Sequence, residues 1–273
     1  MGPGIAQEAA RAGFLIMLHA RSEESASRGI NRIRLRLHGE VEQGKLAEEE
    51  MRLTLSRIGA ESGSLVPALS ADLIIEAISE DLAGKKEIFK MLDIICNPKT
   101  ILATCTSSLS VNDIAGITSR PDRVIGTHFF NPPDKTRLVE IVTTQSTSEN
   151  TLKVLLDVVS AMNKEVIRVS DTPGFVSSRL GILLGLEAMR MLEEGLATPE
   201  EIDKAMVLGY NHPMGPLRVS DLVGLDVRLS VAHSIFERLG LEQFRPPEIL
   251  KKMVAEGKLG RKTGQGFFKW DRK

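Results

Sequence analysis

Two residues of this sequence have types and spacing suited to shared chemistry: His128 and Glu140. Both lie in ATCTSSLSVNDIAGITSRPDRVIGTHFFNPPDKTRLVEIV, residues 103–142. Residues 101–103 and 124–129 read as short buried strands. Residues 138–142 read as a third, whose alternation puts Leu138, Glu140 and Val142 on one face. A carboxylate embedded in such a strand is costly unless it is paired, and His128, at the end of a neighbouring strand, is the expected partner. In that arrangement the carboxylate fixes one ring nitrogen and supports the imidazolium, and the other nitrogen takes a proton from a substrate hydroxyl near neutral pH. The residues alone also allow a structural His and an exposed edge-strand Glu. Ser107 sits in the turn after the strand 101–103, at the carboxyl end, where open parallel sheets bind ligands. Ser110, with Asp113 three residues on, reads as a helix cap.

Composition limits what surrounds these residues. A chain of 273 residues, 42% hydrophobic and 26% charged, buries a substantial core in one large domain or two smaller ones. A formal charge of -1 argues against nucleic acid as a partner. Cys96 and Cys105 make no disulfide framework and no metal-ligand spacing, so a reducing, cytoplasmic setting is expected. No His/Cys cluster suggests a metal, and His212 reads as a loop residue. The most apolar run, residues 180–189, lies between Arg179 and Arg190 and is too short to span a bilayer.

The elements that must hold the site alternate between helix and strand up to about residue 170. MGPGIAQEAARAGF reads as a helix with Pro3 in its first turn and Gly13 at its end, followed by a strand over 14–19 that delivers Ala20 and Arg21. Residues 23–44 are amphipathic. Ile30, Ile33, Leu37 and Val41 form one stripe, and Arg28, Arg32 and Arg36 recur on another, a candidate phosphate surface or a solvated basic face. Residues 45–57 continue as a second charged helix, giving a helical hairpin. A buried strand over 73–77 leads into ISEDLAGKKEIF, where Glu80 and Lys85 read, from the residues alone, as a helix N-terminal acid and a surface lysine. A helix over 148–162 and a strand over 165–169 precede a hinge at 171–174. Beyond it the pattern is helical: 175–193, apolar nearly all round; a helix opened by the capping box of Thr198, Pro199 and Glu201; then 217–239 and 247–256. The tail GRKTGQGFFKW carries Lys262, on its own a surface residue.

The strings TSSL, HFFNPP, LVE, DTPGF and HPMGPL, in this order and spread over essentially the whole chain, resemble the L-3-hydroxyacyl-CoA dehydrogenase family, in particular its short 3-hydroxybutyryl-CoA dehydrogenases. The resemblance implies a doubly wound, Rossmann-type parallel sheet over 1–170 that binds NAD, with the inserted hairpin, and an all-α C-terminal domain over 171–273 for substrate and dimerisation, the substrate lying in the cleft between them. It implies catalytic roles for Ser107, His128 and Glu140 and a place near the substrate for Asn131. It puts Glu80, Lys85 and Lys262 near the cofactor, and the coenzyme A phosphates near Arg28, Arg32 and Arg36. By the same resemblance Gly2 is the last glycine of a GxGxxG loop. The central first strand of the order 3-2-1-4-5-6 is then absent from this sequence, and the frame upstream of Met1 is expected to encode it. Four positions depart from the family. Ala20 replaces the Asp that accepts the ribose hydroxyls, and with Arg21 beside it the choice between NAD and NADP stays open. Cys105 stands where the family usually has Asn, Ser178 where it has the active-site Asn, and the first glycines are missing. The implied reaction is reversible oxidation of an L-3-hydroxyacyl-CoA to the 3-oxoacyl-CoA by a homodimer. The rival readings are a dehydrogenase of another hydroxy acid on the same scaffold and a non-catalytic acyl-CoA-binding relative.

Overall fold

The computed structural model describes residues 1–271. Two compact units are present, Met1–Asp171 and a second that begins at Thr172.

The first unit runs α1 (Gly2–Arg11), β1 (Ile16–Ala20), α2 (Glu23–Glu42), α3 (Glu48–Ser56), β2 (Ile58–Ser62), β3 (Leu73–Glu76), α4 (Leu82–Ile95), β4 (Ile101–Cys105), α5 (Val111–Ala115), β5 (Val124–Phe129), β6 (Leu138–Thr143), α6 (Glu149–Ala161) and β7 (Glu165–Ser170). β1 and β2 pair in parallel as a two-stranded sheet, while β3-β4-β5-β6-β7 form a separate five-stranded sheet. Strands β4 and β5 are buried along their whole lengths, as a sheet covered by helices on both faces requires. Ile101, Ala103, Ile125, Val139 and Ile141 meet Leu152, Leu155 and Val159 of α6 and Ile5 and Ala9 of α1 in one core. α2 packs Ile33 and Leu37 against Ala6 of α1 and Met51 of α3, so the hairpin is held by its apolar stripe.

The five-stranded sheet is parallel except at one step. β6 runs antiparallel to β5, in the register Gly126↔Val142, Thr127↔Ile141, His128↔Glu140 and Phe129↔Val139. The short loop 130–137 joining them cannot make the crossover that a parallel neighbour needs. β7 returns parallel to β6.

The second unit contains α7 (Ser177–Glu193), α8 (Pro199–Tyr210), α9 (Pro216–Val223), α10 (Leu225–Leu239) and α11 (Glu248–Ala255). The single helix expected over 217–239 is two. Gly224, at φ +106, takes a backbone conformation that side chains resist and turns the chain between α9 and α10. The capping box forms as expected: the Thr198 hydroxyl and the Glu201 carboxylate cap one another's backbone at the start of α8. Leu186 and Met189 of α7, Leu217, Leu225, Ile235 and Leu250 form the core. Buried Asp221 accepts from the amides of Phe267 and Phe268 and from the Trp270 indole, fastening the tail to α9.

Candidate active site

The antiparallel register puts His128 and Glu140 directly opposite one another on β5 and β6. Their side chains meet, with Nδ1 of His128 2.6 Å from Oε2 of Glu140. Glu140 is fully buried and His128 is 7% exposed. A buried carboxylate with an imidazole at that distance acts as acceptor, so the Nδ1 proton belongs to the bond and the ring's basic lone pair lies on Nε2. Gly126 allows this close approach of strands and helix. A Cβ there would lie 2.7 Å from Val111 of α5 and 2.8 Å from Val142 of β6. The Phe130 ring leans on the imidazole with centroids 4.5 Å apart and an interplanar angle of 38°, which fixes the ring from one side.

Ser107 stands in the turn after β4, half-buried. One oxygen of Glu80 organises that turn. Oε1 accepts from the Thr106 hydroxyl at 2.6 Å, the Ser107 amide at 2.9 Å, the Ser107 hydroxyl at 3.2 Å and the Ser108 amide at 3.3 Å. Glu80 therefore does more than lead a helix; the cap of α4 is Asp81, which accepts from Ala83 and Gly84. Ser110 caps α5 through the Asp113 amide, as expected, and also donates to Asp171 at 3.0 Å.

Lys85 is the clearest departure from the unaided reading of a surface lysine, because it is fully buried. Its ammonium donates to both oxygens of Glu76, at 2.7 and 2.9 Å, and to the Cys105 carbonyl at 2.9 Å. Glu76 also accepts from the Thr104 hydroxyl at 2.7 Å and the Ile78 amide at 2.7 Å. Glu76, Thr104 and Thr106 were missed in the sequence, although an acid closing the apolar run LIIE is the same signal that marks Glu140. Cys105 is buried, and burial pushes its thiol above the ordinary range.

The remaining candidates are dispersed. Asn131 is exposed in the loop after β5. Two of the three arginines of the α2 line are paired with acids. Arg28 is engaged by Glu24 and Ser25 of its own helix, Arg36 donates to Asp134 at 3.2 Å, and Arg32 is exposed. Carboxylates one turn away and in a facing loop were at hand to take these cations. In the second unit, Lys262 is paired with Asp226 and Ser178 is half-buried in the first turn of α7. Among the described residues there is no cluster of His, Cys, Asp or Glu fit for a metal, and no helix is long and apolar enough to cross a membrane.

The residues at the start of α1 fit a dinucleotide phosphate. Met1 supplies no side-chain cap, a Cβ added at Gly2 would come no nearer than 3.9 Å to the Ala77 side chain just after β3, and a helix N-terminus without a competing cap favours an anion. At the end of β1, Ala20 offers no carboxylate to a ribose and Arg21 is exposed. A polar groove nearby is lined by Glu23, Asn31, Arg34, Glu61 and Ser62.

Comparison with known proteins adds independent support. Residues 1–172 match the NAD binding domain of 3-hydroxyacyl-CoA dehydrogenase, and residues 174–270 match its C-terminal domain. A probable 3-hydroxybutyryl-CoA dehydrogenase of Bacillus subtilis is 44% identical over 273 residues, 100% of this chain and 95% of that protein. The 3-hydroxybutyryl-CoA dehydrogenase of Clostridioides difficile is 40% identical over 100% of this chain and 96% of its own. The crystal structure of (S)-3-hydroxybutyryl-CoA dehydrogenase from Ralstonia eutropha superposes with a TM-score of 0.97 at 37% identity, covering 100% of this chain and 96% of that one. Sequence profile, full-length relatives and backbone geometry converge on one assignment: the chain belongs to the NAD-dependent 3-hydroxyacyl-CoA dehydrogenase family.

Proposed function

We propose that the chain interconverts an L-3-hydroxyacyl-CoA, short in its acyl chain, and the 3-oxoacyl-CoA, with NAD as the cofactor. The buried His128–Glu140 pair carries this reading, because it gives an imidazole one fixed tautomer and a stabilised protonated form. His128 takes the hydroxyl proton at Nε2 while the carbon bearing that hydroxyl gives up its hydrogen with the bonding electron pair. Glu140 orients the ring and offsets the charge it acquires. Ser107 hydrogen-bonds the substrate oxygen, and the Glu80 carboxylate holds the turn that presents it. Bound NAD supplies the two-electron acceptor for the hydride. Gly2 and Arg21 would hold the dinucleotide with Glu80 near it, and the exposed Arg32 would meet the coenzyme A phosphates. Asn131 lies on the substrate side of the loop after His128.

The protein works as a cytoplasmic homodimer through its helical unit, where Leu180 of α7 leaves 63% of its surface exposed. Steady-state assays with acetoacetyl-CoA and either NADH or NADPH test the activity. Turnover with NADH is expected, and consumption of neither cofactor by short and longer 3-oxoacyl-CoA esters would sink the reading. Sedimentation tests the dimer.

A further inference from the structure

Beneath the Ser107 turn lies an ion pair to which the reaction as drawn gives no part. Glu76 closes β3 at 5% exposure, and Lys85, on α4, is 0% exposed. A lysine ammonium has three protons. Here they face three acceptors: the two oxygens of Glu76, at 2.7 and 2.9 Å, and the Cys105 carbonyl at 2.9 Å. Lys85 therefore acts on the turn through what it touches. The Cys105 carbonyl is the last of β4, two residues before Ser107, and Oε2 of Glu80, whose other oxygen gathers the Ser107 and Ser108 amides, lies 4.0 Å from the ammonium. Glu76 anchors the assembly a second time on β4 by accepting from the Thr104 hydroxyl at 2.7 Å.

We propose that Glu76 is a positioning residue of the reaction: through Lys85 and Thr104 it fixes the end of β4 and the Glu80 carboxylate, and so the place of the Ser107 hydroxyl. A buried ion pair adds little net stability over an apolar pair of the same volume, but removing one partner strands the other charge. The use of such a pair is geometric. It holds a strand end, a turn and a second carboxylate in one arrangement. The proposal rests on the dehydrogenase reading for its effect on turnover, but not for its effect on the turn.

The test compares wild type, Glu76→Gln, Lys85→Met, Thr104→Val and the double variant Glu76→Gln/Lys85→Met in the full chain. Two readouts are taken: backbone amide exchange across the chain, and steady-state kinetics with acetoacetyl-CoA and NADH. Glu76→Gln is expected to speed exchange at Ser107 and Ser108 at least tenfold, with Ile141 of β6 and Leu186 of α7 at wild-type rates. The same variant should lose at least tenfold in kcat, with the KM for the acyl-CoA within threefold of wild type. Thr104→Val should show the same pattern, more weakly. If a single charge change prevents folding, the double variant leaves no stranded charge, and its kcat should still be down at least tenfold. Wild-type exchange at Ser107 together with wild-type kcat in folded Glu76→Gln overturns the proposal. So does exchange quickened evenly over the whole unit, which reduces the pair to general support. A loss of NADH affinity in Lys85→Met that Glu76→Gln does not share overturns it as well, by making Lys85 a direct ligand. If the wild type turns over no 3-oxoacyl-CoA, the dehydrogenase reading fails, and the exchange pattern still decides the positioning role.

Discussion

Glu140 and His128 occupy paired positions of two antiparallel strands, and the 2.6 Å contact between their side chains is made inside the sheet rather than at its rim. Because the strand register fixes both backbones, the pair is preorganised: neither side chain has to be drawn from solvent when the substrate binds. Removing the imidazole while keeping its size, His128→Gln, should lower kcat by about two to four powers of ten, the usual weight of a general base, and leave NADH affinity little changed. Steady-state kinetics and fluorescence titration check this, and near-normal turnover of acetoacetyl-CoA by the variant would remove His128 from the mechanism.

Glu140→Gln separates orientation from charge. The amide keeps the volume and can still accept from Nδ1, but it no longer offsets an imidazolium, so kcat should fall by about two powers of ten with the KM for the acyl-CoA nearly unchanged. An equal rise in KM would instead mean that Glu140 shapes the binding site.

Part of this site is legible in the sequence for a physical reason. An acid among apolar residues at alternate spacing, LVEIV, has no cheap place in a strand, so it calls for a partner, and His128 is the titratable group at the end of the adjacent apolar run. Strand direction is not legible from that alternation, which is the same for parallel and antiparallel neighbours; only the length of the loop 130–137 decides it. Lys85 was misread because GKKE has the charge density of a surface segment, and its burial depends on Glu76, brought near by the β3–α4 connection. The arginine line was visible, but its neutralisation was not, since Asp134 reaches Arg36 from a loop 98 residues away. Gly224 was passed over because an isolated glycine inside an apolar helical pattern is usually tolerated, and only its positive φ shows the break.

Asp93 on α4 offers a stability test away from the chemistry. It accepts from the Ser119 amide at 2.6 Å, the Ser119 hydroxyl at 3.1 Å and the Arg120 guanidinium at 2.7 Å. Burial alone would push its carboxyl up, but these donors and the Arg120 charge outweigh burial and hold it below the ordinary aspartate value. A folded-state value below the unfolded one means that its stabilisation is complete above the unfolded value and is lost as pH falls through the folded one. Asp93→Asn should therefore cost about 1–3 kcal/mol at neutral pH, and the difference should close toward the acid end. Urea unfolding at both ends of that range checks it; a gap that does not depend on pH would assign the effect to packing.

Arg32 is exposed, while Arg28, also exposed, and half-buried Arg36 are engaged by acids. If coenzyme A phosphates reach α2, Arg32→Ala should raise the KM for acetoacetyl-CoA several-fold, by about 1 kcal/mol at low salt, with the effect fading as ionic strength rises. The KM for a truncated thioester lacking the nucleotide should not move. Equal changes for both substrates would place the phosphates elsewhere.

Ser178 is the second residue of α7 and half-buried there. The resembling family carries Asn before the arginine that is Arg179 here, and serine is shorter by a carboxamide and offers one donor instead of two. If Ser178 faces the substrate, it would reach its oxygen through a water, which preserves part of the interaction but holds the geometry less firmly. Ser178→Asn should therefore raise kcat/KM on a short 3-oxoacyl-CoA by roughly tenfold, the worth of one hydrogen bond of about 1.4 kcal/mol regained in the transition state. The helix should tolerate the change, since asparagine and serine differ little in helix propensity within a first turn. Kinetics on the two proteins decides between two states of the site. A gain confined to kcat means that the new amide acts on the transition state. An unchanged or lower kcat/KM means that the site has been rebuilt around serine, or that Ser178 does not face the substrate.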